Sequence, residues 1–346
     1  MRNARTRDRL LAMLDRFPGT RIAVVADLIA DEFLFGQITR VSREAPVLIL
    51  KHTESKIVPG GGANAVYNLR SLGADPVTFG CVGRDDAGSA LLNAFRQAGI
   101  RTEFVLRRPH HKTTTKTRIL ASLPHSSKQQ VLRIDREHKI EATHGEIEKF
   151  LSEVLASSSG LLISDYANGS VPPSLSQLPI VRKFAARKPV TVDSRHDILS
   201  FSGMTAATPN EGEVETALGA RIGDDPDALE RAGRGMLRRL GCAAVLVTRG
   251  SKGMALFERG RRTVRIPIYG GEEQADVTGA GDTVIATFTL ALCCGASFAD
   301  AAILSNFAGG IVVTKRGTAT VTRAELADAV RTDLDGPPPP TGIEPA

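Results

Sequence analysis

The second half of the chain alternates short apolar runs with amphipathic segments, and this alternation constrains the fold more than any other feature. It predicts helices and strands in turn at 145–156, 160–164, 174–187, 190–193, 206–208, 211–218, 226–240 and 244–248. A hairpin over 253–268 and long helices near 281–294 and 299–313 are expected to follow. Alternating strands and helices predict an α/β fold with a doubly wound, mostly parallel sheet.

Part of the first half has a different pattern. Residues 33–58 alternate apolar with polar residues around Pro46, and residues 104–122 and 129–135 behave in the same way. The β-branched residues within 113–118 favour strands. We therefore expect short antiparallel strands that form a small separate sheet.

The ends of the chain differ from the region between them. Leucines at helical spacing predict an amphipathic helix within residues 1–19. The four consecutive prolines from Pro337 predict a disordered tail over residues 336–346. We expect one catalytic domain over residues 20–335.

The composition excludes several classes of function. The chain has no Trp and only 5% aromatic residues, which excludes carbohydrate sites built on stacked Trp rings and makes a single-stranded nucleic-acid platform less plausible. The net charge is +6 with scattered basic residues, which is typical of proteins that handle small anions and not of nucleic-acid binders. No run of about 18 apolar residues is present, so we expect no membrane span.

The cysteines and the N-terminus predict a cytoplasmic location. The N-terminal residues lack the apolar run of a secretory signal. No CxxC pair occurs, and apolar surroundings favour buried thiols in a reducing compartment. The four cysteines are Cys81, Cys242, Cys293 and Cys294.

Residues 276–283 read Asp-Val-Thr-Gly-Ala-Gly-Asp-Thr and precede an apolar helical stretch. The free N–H groups of a helix N-terminus attract anions. The carboxylate of Asp282 lies beside that anion site, where it can take a proton from an attacking hydroxyl. The pairing indicates phosphoryl transfer to an alcohol, and the alternative is a helix start with Asp as a capping residue.

A second glycine-rich segment, Pro59-Gly60-Gly61-Gly62-Ala63-Asn64, also opens a predicted helix. Glycines permit close approach to a ligand, and the Asn64 amide offers donors and an acceptor for a polyhydroxyl compound. The alternative is a flexible turn with an Asn cap. The chain contains neither a GxxxxGK[ST] phosphate loop nor a GxGxxG fingerprint, so ATP would have to bind without a Walker motif.

Several predicted strands end in polar residues. Asn210 and Glu213 are three residues apart at a helix start, where a carboxylate near phosphates usually acts through Mg²⁺ and its waters. A simple capping arrangement is the alternative. Asp165, Asp193 and Thr248 end other strands, and we expect all these ends to line one crevice.

In this order, the segments resemble the ribokinase-like, pfkB-type carbohydrate kinases over about residues 20–328. The two glycine-rich signatures carry that resemblance. A finer resemblance, to the kinase part of bacterial D-glycero-β-D-manno-heptose 7-phosphate kinases, rests on Asp27-x-x-x-Asp31, Phe35-Gly36, Ser42-x-Glu44-Ala45-Pro46-Val47 and Ser164-Asp165-Tyr166-Ala167. The resemblance implies a ribokinase-like fold whose small sheet is a lid over the sugar.

The resemblance also implies the reaction. It is ATP-dependent phosphorylation of the anomeric O1 of D-glycero-D-manno-heptose 7-phosphate to the 1,7-bisphosphate, for nucleotide-activated heptose synthesis. Mg²⁺ is the implied metal, and a monovalent cation near Asp276 and Thr278 is compatible with the family. Asp282 is the implied catalytic base, beside an anion hole formed by Gly279, Ala280 and Gly281.

The remaining implied roles concern binding. The sugar would be held by Asp27, Asp31, Gly60, Gly61, Asn64 and Asp165. The nucleotide would be held by Asn210, Glu213, Thr248, Gly250 and Asn306, with Glu213 reaching Mg²⁺ through water. A phosphate on the acceptor needs cations, and the candidates are Lys116, Arg118 and Arg133, for which the alternative is ordinary surface charge.

Three segments depart from the heptose kinase pattern. Ala26 replaces a Gly, Asn168 replaces a Lys, and Asp193-Ser194-Arg195 replaces Asp-Pro-Lys. The last two departures concern the phosphate-bearing region of the substrate more than the reaction. Another sugar or nucleoside kinase of this fold (ribokinase-like or fructose-phosphate kinase-like) is one alternative, and a silent sugar-phosphate sensor is another.

Two further expectations concern partners and extent. Lids of this family often build a homodimer, so we expect one here, and we expect small-molecule partners without nucleic acid or membrane. The sequence ends soon after the kinase segment, so we expect no nucleotidyltransferase domain. The whole interpretation requires Asp282 to lie beside a cavity that admits both sugar and nucleotide.

Overall fold

The computed structural model describes residues 2–123, 128–270, 277–315 and 317–335. Its strands are β1 (Arg21–Ala26), β2 (Leu28–Val41), β3 (Leu48–Gly61), β4 (Asp75–Gly83), β5 (Val105–Arg108), β6 (Thr115–Ser122), β7 (Gln129–Arg136), β8 (Gly160–Asp165), β9 (Val190–Ser194), β10 (Ala206–Ala207), β11 (Ala244–Thr248), β12 (Met254–Glu258) and β13 (Val264–Ile266). Its α-helices are α1 (Arg2–Leu14), α2 (Gly62–Ser71), α3 (Asp86–Gln97), α4 (His144–Val154), α5 (Pro179–Ala185), α6 (Glu211–Leu218), α7 (Pro226–Leu240), α8 (Ala280–Cys293), α9 (Phe298–Val313) and α10 (Arg323–Asp335). Asp276 and the predicted tail over 336–346 lie outside the described residues.

A large sheet organises the fold, with the strand order β13-β12-β11-β10-β9-β8-β1-β4-β5. Within the described residues its antiparallel pairs are β11 with β12 and β12 with β13, and the second pair is the hairpin predicted over 253–268. The central strand β1 pairs in parallel with β4 and β8. Its residues alternate between two cores, with Val24 on one face and Val25 on the other, because successive side chains of a strand point to opposite faces. The predicted doubly wound α/β fold is confirmed.

Helices cover both faces of this sheet, as the alternation predicts. Apolar residues of α1, α2, α3, α8, α9 and α10 pack into the core on one face, and those of α4, α5, α6 and α7 pack on the other. The helix expected over 174–187 is shorter than predicted. It begins at Pro179, whose missing N–H suits a first helical turn, after a separate 3₁₀ turn over Pro173–Gln177.

The small sheet has the order β3-β2-β6-β7. β2 and β3 are antiparallel, but they have 14 residues each and are not short, and β2 pairs in parallel with β6. Residues 105–108 were expected in this sheet, and that prediction is wrong. They form β5, which extends the large sheet beside β4, because Val105 and Leu106 pack into the cores on its two faces.

The chain first passes from the large sheet to the small sheet through one residue. β1 ends at Ala26, β2 begins at Leu28, and Asp27 lies between them. The chain returns from the small sheet at α2, where the Gly62 N–H donates to the Asp27 carbonyl at 3.1 Å. The carboxyl ends of β1, β8, β9 and β11 therefore open toward the small sheet, at the edge where ligands of such folds collect.

The structure also bears on the cysteines and on the expected absence of a membrane span. All four cysteines are free thiols, and three of them are buried, while Cys293 is partly exposed. Within the described ranges, none of the helices is both long enough and apolar enough to cross a bilayer.

Candidate active site

The start of α8 is built on a glycine that no other residue can replace without strain. Gly279 has φ +79°, and a Cβ there would lie 2.5 Å from the Asn64 amide nitrogen. Its carbonyl accepts the Thr283 N–H at 3.1 Å, while the Ala280 N–H donates to the Val277 carbonyl at 3.3 Å. From Gly281 onward, the first N–H groups of the helix have no carbonyl of a preceding turn to bond, which favours an anion there.

Asp282 lies in this first turn and is 3% exposed. Its carboxylate accepts a hydrogen bond from the Asn64 amide at 3.1 Å and another from the Tyr166 hydroxyl at 2.9 Å. Burial raises the pKa of Asp282 to about 7, and the charge of Asp31 adds to the rise, whereas the two hydrogen bonds oppose it. A carboxylate with such a pKa exchanges a proton readily near neutral pH, as a general base must.

The orientation of Asn64 is set within its own helix. One turn later in α2, the Asn68 amide donates to the Asn64 side-chain oxygen at 3.1 Å and to the Asn64 carbonyl at 3.0 Å. This bond occupies the oxygen of Asn64, so that its NH₂ group points to Asp282. The Val321 N–H approaches the Asn68 oxygen at 3.3 Å from the other side.

Asp31 is surrounded by groups from three distant segments. Arg118 of β6 lies 3.1 Å from its carboxylate, and the Thr318 hydroxyl donates to it at 2.6 Å. Gly60 opposite leaves the space for this carboxylate, since a Cβ there would lie 2.5 Å from the Asp31 Cγ. Arg118 also lies over the Phe33 ring at 5.5 Å. Arg118 is therefore already engaged by Asp31, although the sequence suggested it for an acceptor phosphate.

Asp27 holds a loop and lines none of the three pockets described below. Its buried carboxylate accepts three backbone N–H groups at 2.8–2.9 Å, those of Tyr166, Asn168 and Ser170. These bonds fix a turn in which Ala167 has φ +59°. Burial nevertheless raises the pKa of Asp27 to about 6.

A basic pocket of about 460 Å³ opens between the two sheets. Lys116 projects into it from β6, is 8% exposed, and lies 5.0 Å from the centre of the Tyr166 ring. Within the described residues, Lys116 has no hydrogen bond or ion pair, and burial lowers its pKa. The pocket is lined by Ile29, Lys116, Glu137, Lys139, Tyr166, Ala167, Asn168, Arg195 and His196.

Arg133, the third cation suggested by the sequence, is not part of this pocket. It lies on β7, whose eight residues are all exposed. Its guanidinium makes two hydrogen bonds to Asp135, at 2.6 and 2.7 Å. Of the three suggested cations, Lys116 alone has its charged group directed into a pocket and unpaired in the described structure.

An acidic pocket, also of about 460 Å³, follows along the sheet edge. Asn210 and Glu213 form a reciprocal capping box at the start of α6, with both bonds at 2.9 Å, so the capping alternative describes their contacts. Both also line the pocket. The lining residues are Asp165, Tyr166, Asp193, Arg195, Thr208, Asn210, Glu213, Thr248, Val277 and Gly281.

The acidic pocket has the chemistry of a partial magnesium site. Burial and the charges of Glu213 and Asp282 raise the pKa of Asp193 well above its usual range, and burial raises that of Glu213. Such clustered carboxylates are stabilised by a cation. The described His, Cys, Asp and Glu residues form no cluster of three able to hold a metal. Mg²⁺ usually takes one or two carboxylates and completes its shell with water and substrate phosphates.

A third, apolar pocket lies beyond Gly281, between α8, α9 and β12. The Asn306 amide donates to the Pro267 carbonyl at 2.8 Å, which fixes this wall. Mostly apolar surroundings with a few polar groups suit the flat base of a nucleotide. The lining residues are Thr248, Gly250, Gly253, Met254, Ile268, Val277, Ala280, Gly281, Val284, Asn306, Gly309, Gly310 and Val313.

The acidic pocket adjoins both other pockets through residues next to Asp282, which itself lines none of the three. Gly281, its neighbour in sequence, lines both the acidic and the apolar pocket. Tyr166, its hydrogen-bond partner, lines both the acidic and the basic pocket. The Asp282 carboxylate is thus buried directly behind Gly281 and Tyr166, which line these cavities.

Sequence reasoning gave no role to four residues of this region. Tyr166 belongs to a quoted motif, and Asp193 and Arg195 end a predicted strand, so the sequence contained a weak indication of each. Thr318 had none, because its partner Asp31 is 287 residues away. Asp165 accepts from the Ser194 hydroxyl and the Ala167 N–H, and it lines the acidic pocket.

The sequence is similar to those of known carbohydrate kinases. The sequence profile described as pfkB family carbohydrate kinase matches residues 23–325. The bifunctional protein HldE of Geobacter metallireducens is 40% identical over 327 residues, which is 90% of this chain and 65% of that protein. The protein of the same name from Caulobacter vibrioides is 40% identical over 323 residues, 92% of this chain and 65% of the relative. The chain thus spans less than two thirds of these relatives.

Solved structures share the fold at low sequence identity. Arabidopsis thaliana ribokinase complexed with ribose and ATP has a TM-score of 0.70 and 20% identity, covering 91% of this chain and 99% of that one. Phosphofructokinase-2 from Escherichia coli, in complex with substrates and products, has a TM-score of 0.72 and 17% identity, covering 90% and 99%. These likenesses show a ribokinase-like fold.

Proposed function

We propose a specific acceptor for this chain, which belongs to the pfkB family of carbohydrate kinases and is a phosphotransferase with an alcohol acceptor. The chain phosphorylates the anomeric O1 of D-glycero-D-manno-heptose 7-phosphate with ATP. The observation that carries the proposal is the buried Asp282 carboxylate at the start of α8, behind the residues through which the acidic pocket adjoins the basic and the apolar pocket. The HldE relatives and the heptose kinase motifs support this choice of acceptor.

The basic pocket supports an acceptor that carries a phosphate. Lys116 is a buried cation with no anionic partner within the described residues, and burying an unpaired charge is costly. A phosphate on the sugar would neutralise it. Lys139 and Arg195 add positive charge to the same cavity.

Asp282 would act as the base in the transfer. Its two side-chain hydrogen bonds use two of about four lone-pair positions, which leaves room for the O1 hydroxyl of the sugar. As the new bond from O1 to the γ-phosphorus forms and the bond to the leaving ADP oxygen breaks, the hydroxyl proton passes to Asp282. The N–H groups from Gly281 onward would stabilise charge on the phosphoryl oxygens.

The nucleotide would lie along the acidic and apolar pockets. The base would take the apolar pocket beside Asn306 and Gly250, and the phosphates would reach past Thr248 to the start of α8. Glu213 and Asp193 would hold Mg²⁺, Glu213 through water. When bound, the ion neutralises phosphate charge and orients the transferring group.

A panel of acceptors tests the proposal. The purified chain is incubated with MgATP and heptose 7-phosphate, ribose, fructose 6-phosphate or adenosine, and ADP release is measured. We expect kcat/KM to be at least about 100-fold higher for heptose 7-phosphate than for the others. Ribose and adenosine have no phosphate for the basic pocket, and the phosphate of fructose 6-phosphate stands at a different distance from its acceptor hydroxyl. Turnover confined to an unphosphorylated compound would reject the heptose phosphate, and sugar binding without ADP release would indicate a sensor.

We also propose that two copies associate through the small sheet. Leu132 and Ile134 are apolar yet 54% and 36% exposed, and as residues two apart on β7 they share one face of the small sheet. Burying such a surface against a second copy would remove it from water. Analytical ultracentrifugation of the wild type and of Leu132→Glu tests this, with a dimer expected for the first and a monomer for the second. A monomeric wild type at micromolar concentration would contradict it.

A further inference from the structure

Arg195 lies at the carboxyl end of β9, directly before the crevice. Its N–H donates to the Asp165 carbonyl at 3.0 Å, and the preceding Ser194 hydroxyl donates to the Asp165 carboxylate at 2.7 Å. The backbone at Arg195 is thereby fixed to the end of β8. The side chain itself is exposed and, across the described residues, makes no ion pair.

The acidic pocket is rich in carboxylates. Three carboxylates line it, those of Asp165, Asp193 and Glu213, and Arg195 is the only Lys or Arg among its described lining residues. A nucleotide triphosphate that enters this pocket adds several negative charges. Magnesium would offset part of that charge, and Arg195 is the cation among the described lining residues that can offset more.

Arg195 also lines the basic pocket, so it lies on the boundary between the two cavities. The charge of Arg195 therefore acts on titratable groups in both pockets. Burial raises the pKa of Glu213 in the acidic pocket, and the charge of Arg195 opposes that rise. Burial lowers the pKa of Lys116 in the basic pocket, and the charge of Arg195 adds to that fall. The phosphoryl group must cross this same boundary on its way from the nucleotide to the acceptor.

We propose that Arg195 is a catalytic residue, whose guanidinium contacts the oxygens of the phosphoryl group while it passes between the two pockets. A planar guanidinium can donate two parallel hydrogen bonds to such a group, and arginines in this role stabilise the transition state strongly. The inference rests on the phosphotransferase activity of the proposed function. It does not depend on which sugar is the acceptor.

Kinetics with a phosphorylated and a phosphate-free acceptor test the role. Arg195→Gln is compared with wild type on heptose 7-phosphate and on the free heptose, with Arg182→Gln, an exposed change on α5 outside the three pockets, as the charge-matched control. We expect kcat to fall at least about 100-fold for Arg195→Gln on both acceptors and less for Arg195→Lys. Arg182→Gln should match the wild type.

If Arg195 instead holds the acceptor phosphate, Arg195→Gln will raise KM for heptose 7-phosphate and leave kcat on the free heptose unchanged, and that result overturns the inference. Should the wild type prefer fructose 6-phosphate, the heptose proposal fails, yet the same comparison with fructose 6-phosphate and fructose still decides the role of Arg195.

A binding measurement gives a second readout. Calorimetry measures Kd for MgADP alone and for MgADP with aluminium fluoride and acceptor, a mimic of the transferring group. We expect Arg195→Gln to bind MgADP within about threefold of wild type but to lose at least about 30-fold in the affinity gained with aluminium fluoride. An equal loss in both measurements would assign Arg195 to ground-state nucleotide binding and overturn the proposal.

Discussion

Asp27 and Asp282 are both buried aspartates at the edge of the large sheet, yet their surroundings differ in kind. Asp27 accepts three backbone N–H groups of one loop. Asp282 accepts two side-chain donors, from Asn64 and Tyr166, which belong to different elements. Burial raises both pKa values, to about 6 for Asp27 and about 7 for Asp282.

The difference separates a scaffold residue from a reactive one. Backbone N–H groups stay where the loop holds them, so Asp27 fixes the segment that carries Tyr166. Side-chain donors can rearrange, and they leave Asp282 with free lone pairs for a substrate hydroxyl. The loop that Asp27 holds therefore positions Tyr166, which donates a hydrogen bond to Asp282.

The largest effect expected from this comparison is on turnover. Asp282→Asn removes the proton acceptor, so we expect kcat to fall at least about 100-fold, whereas the circular dichroism spectrum should not change. Steady-state kinetics of the purified variant measure this. Turnover within a few-fold of the wild type would show that another group takes the proton.

A substitution of Asp27 should mainly lower the free energy of unfolding. Asp27→Asn replaces two acceptor oxygens by one, so at least one of three buried N–H groups loses its partner. We expect a loss of about 2 kcal/mol in the free energy of unfolding at pH 8, measured by urea denaturation. A stable Asp27→Asn protein with low turnover would place Asp27 in the chemistry and erase the distinction.

The hydrogen bond from Tyr166 should set the acid limb of the pH profile. The wild type needs the Asp282 carboxylate, so kcat/KM should fall tenfold per pH unit below about pH 7. Tyr166→Phe removes a bond that lowers this pKa, so its acid limb should move to higher pH. We expect a loss of about tenfold at pH 6 and little loss at pH 9. An equal loss at every pH would indicate a purely structural role.

The smallest expected effect concerns stability and pH. The raised folded-state pKa of Asp282 means that the native state holds its proton to higher pH than the unfolded chain, so this group makes the fold less stable as pH rises from about 4 to about 7. Asp282→Asn lacks this penalty. The free energy of unfolding of Asp282→Asn minus that of the wild type should therefore be at least about 1 kcal/mol higher at pH 8 than at pH 5. Urea denaturation at both pH values measures this, and no relative change would contradict the raised pKa.

Much of the fold was predictable because its signals are local. The apolar run at β1 and the alternation after residue 145 reflect strand and helix periods of a few residues. The glycine-rich starts of α2 and α8 could likewise be predicted from the sequence, since Gly279 has a positive φ angle that other residues avoid. The edge strand β5 was assigned to the wrong sheet because periodicity indicates a strand and does not identify its neighbours.

The sequence by itself determined the α/β class, the two glycine-rich helix starts and the presence of Asn64 and Asp282 at them. Tertiary structure alone decided that these two side chains, 218 positions apart, share a hydrogen bond. It also decided that Arg118 is engaged by Asp31 of another strand, whereas Lys116 has no anionic partner among the described residues. The physical reason is that a charge is neutralised by whatever lies within a few ångströms of it, and chain order does not specify that neighbour.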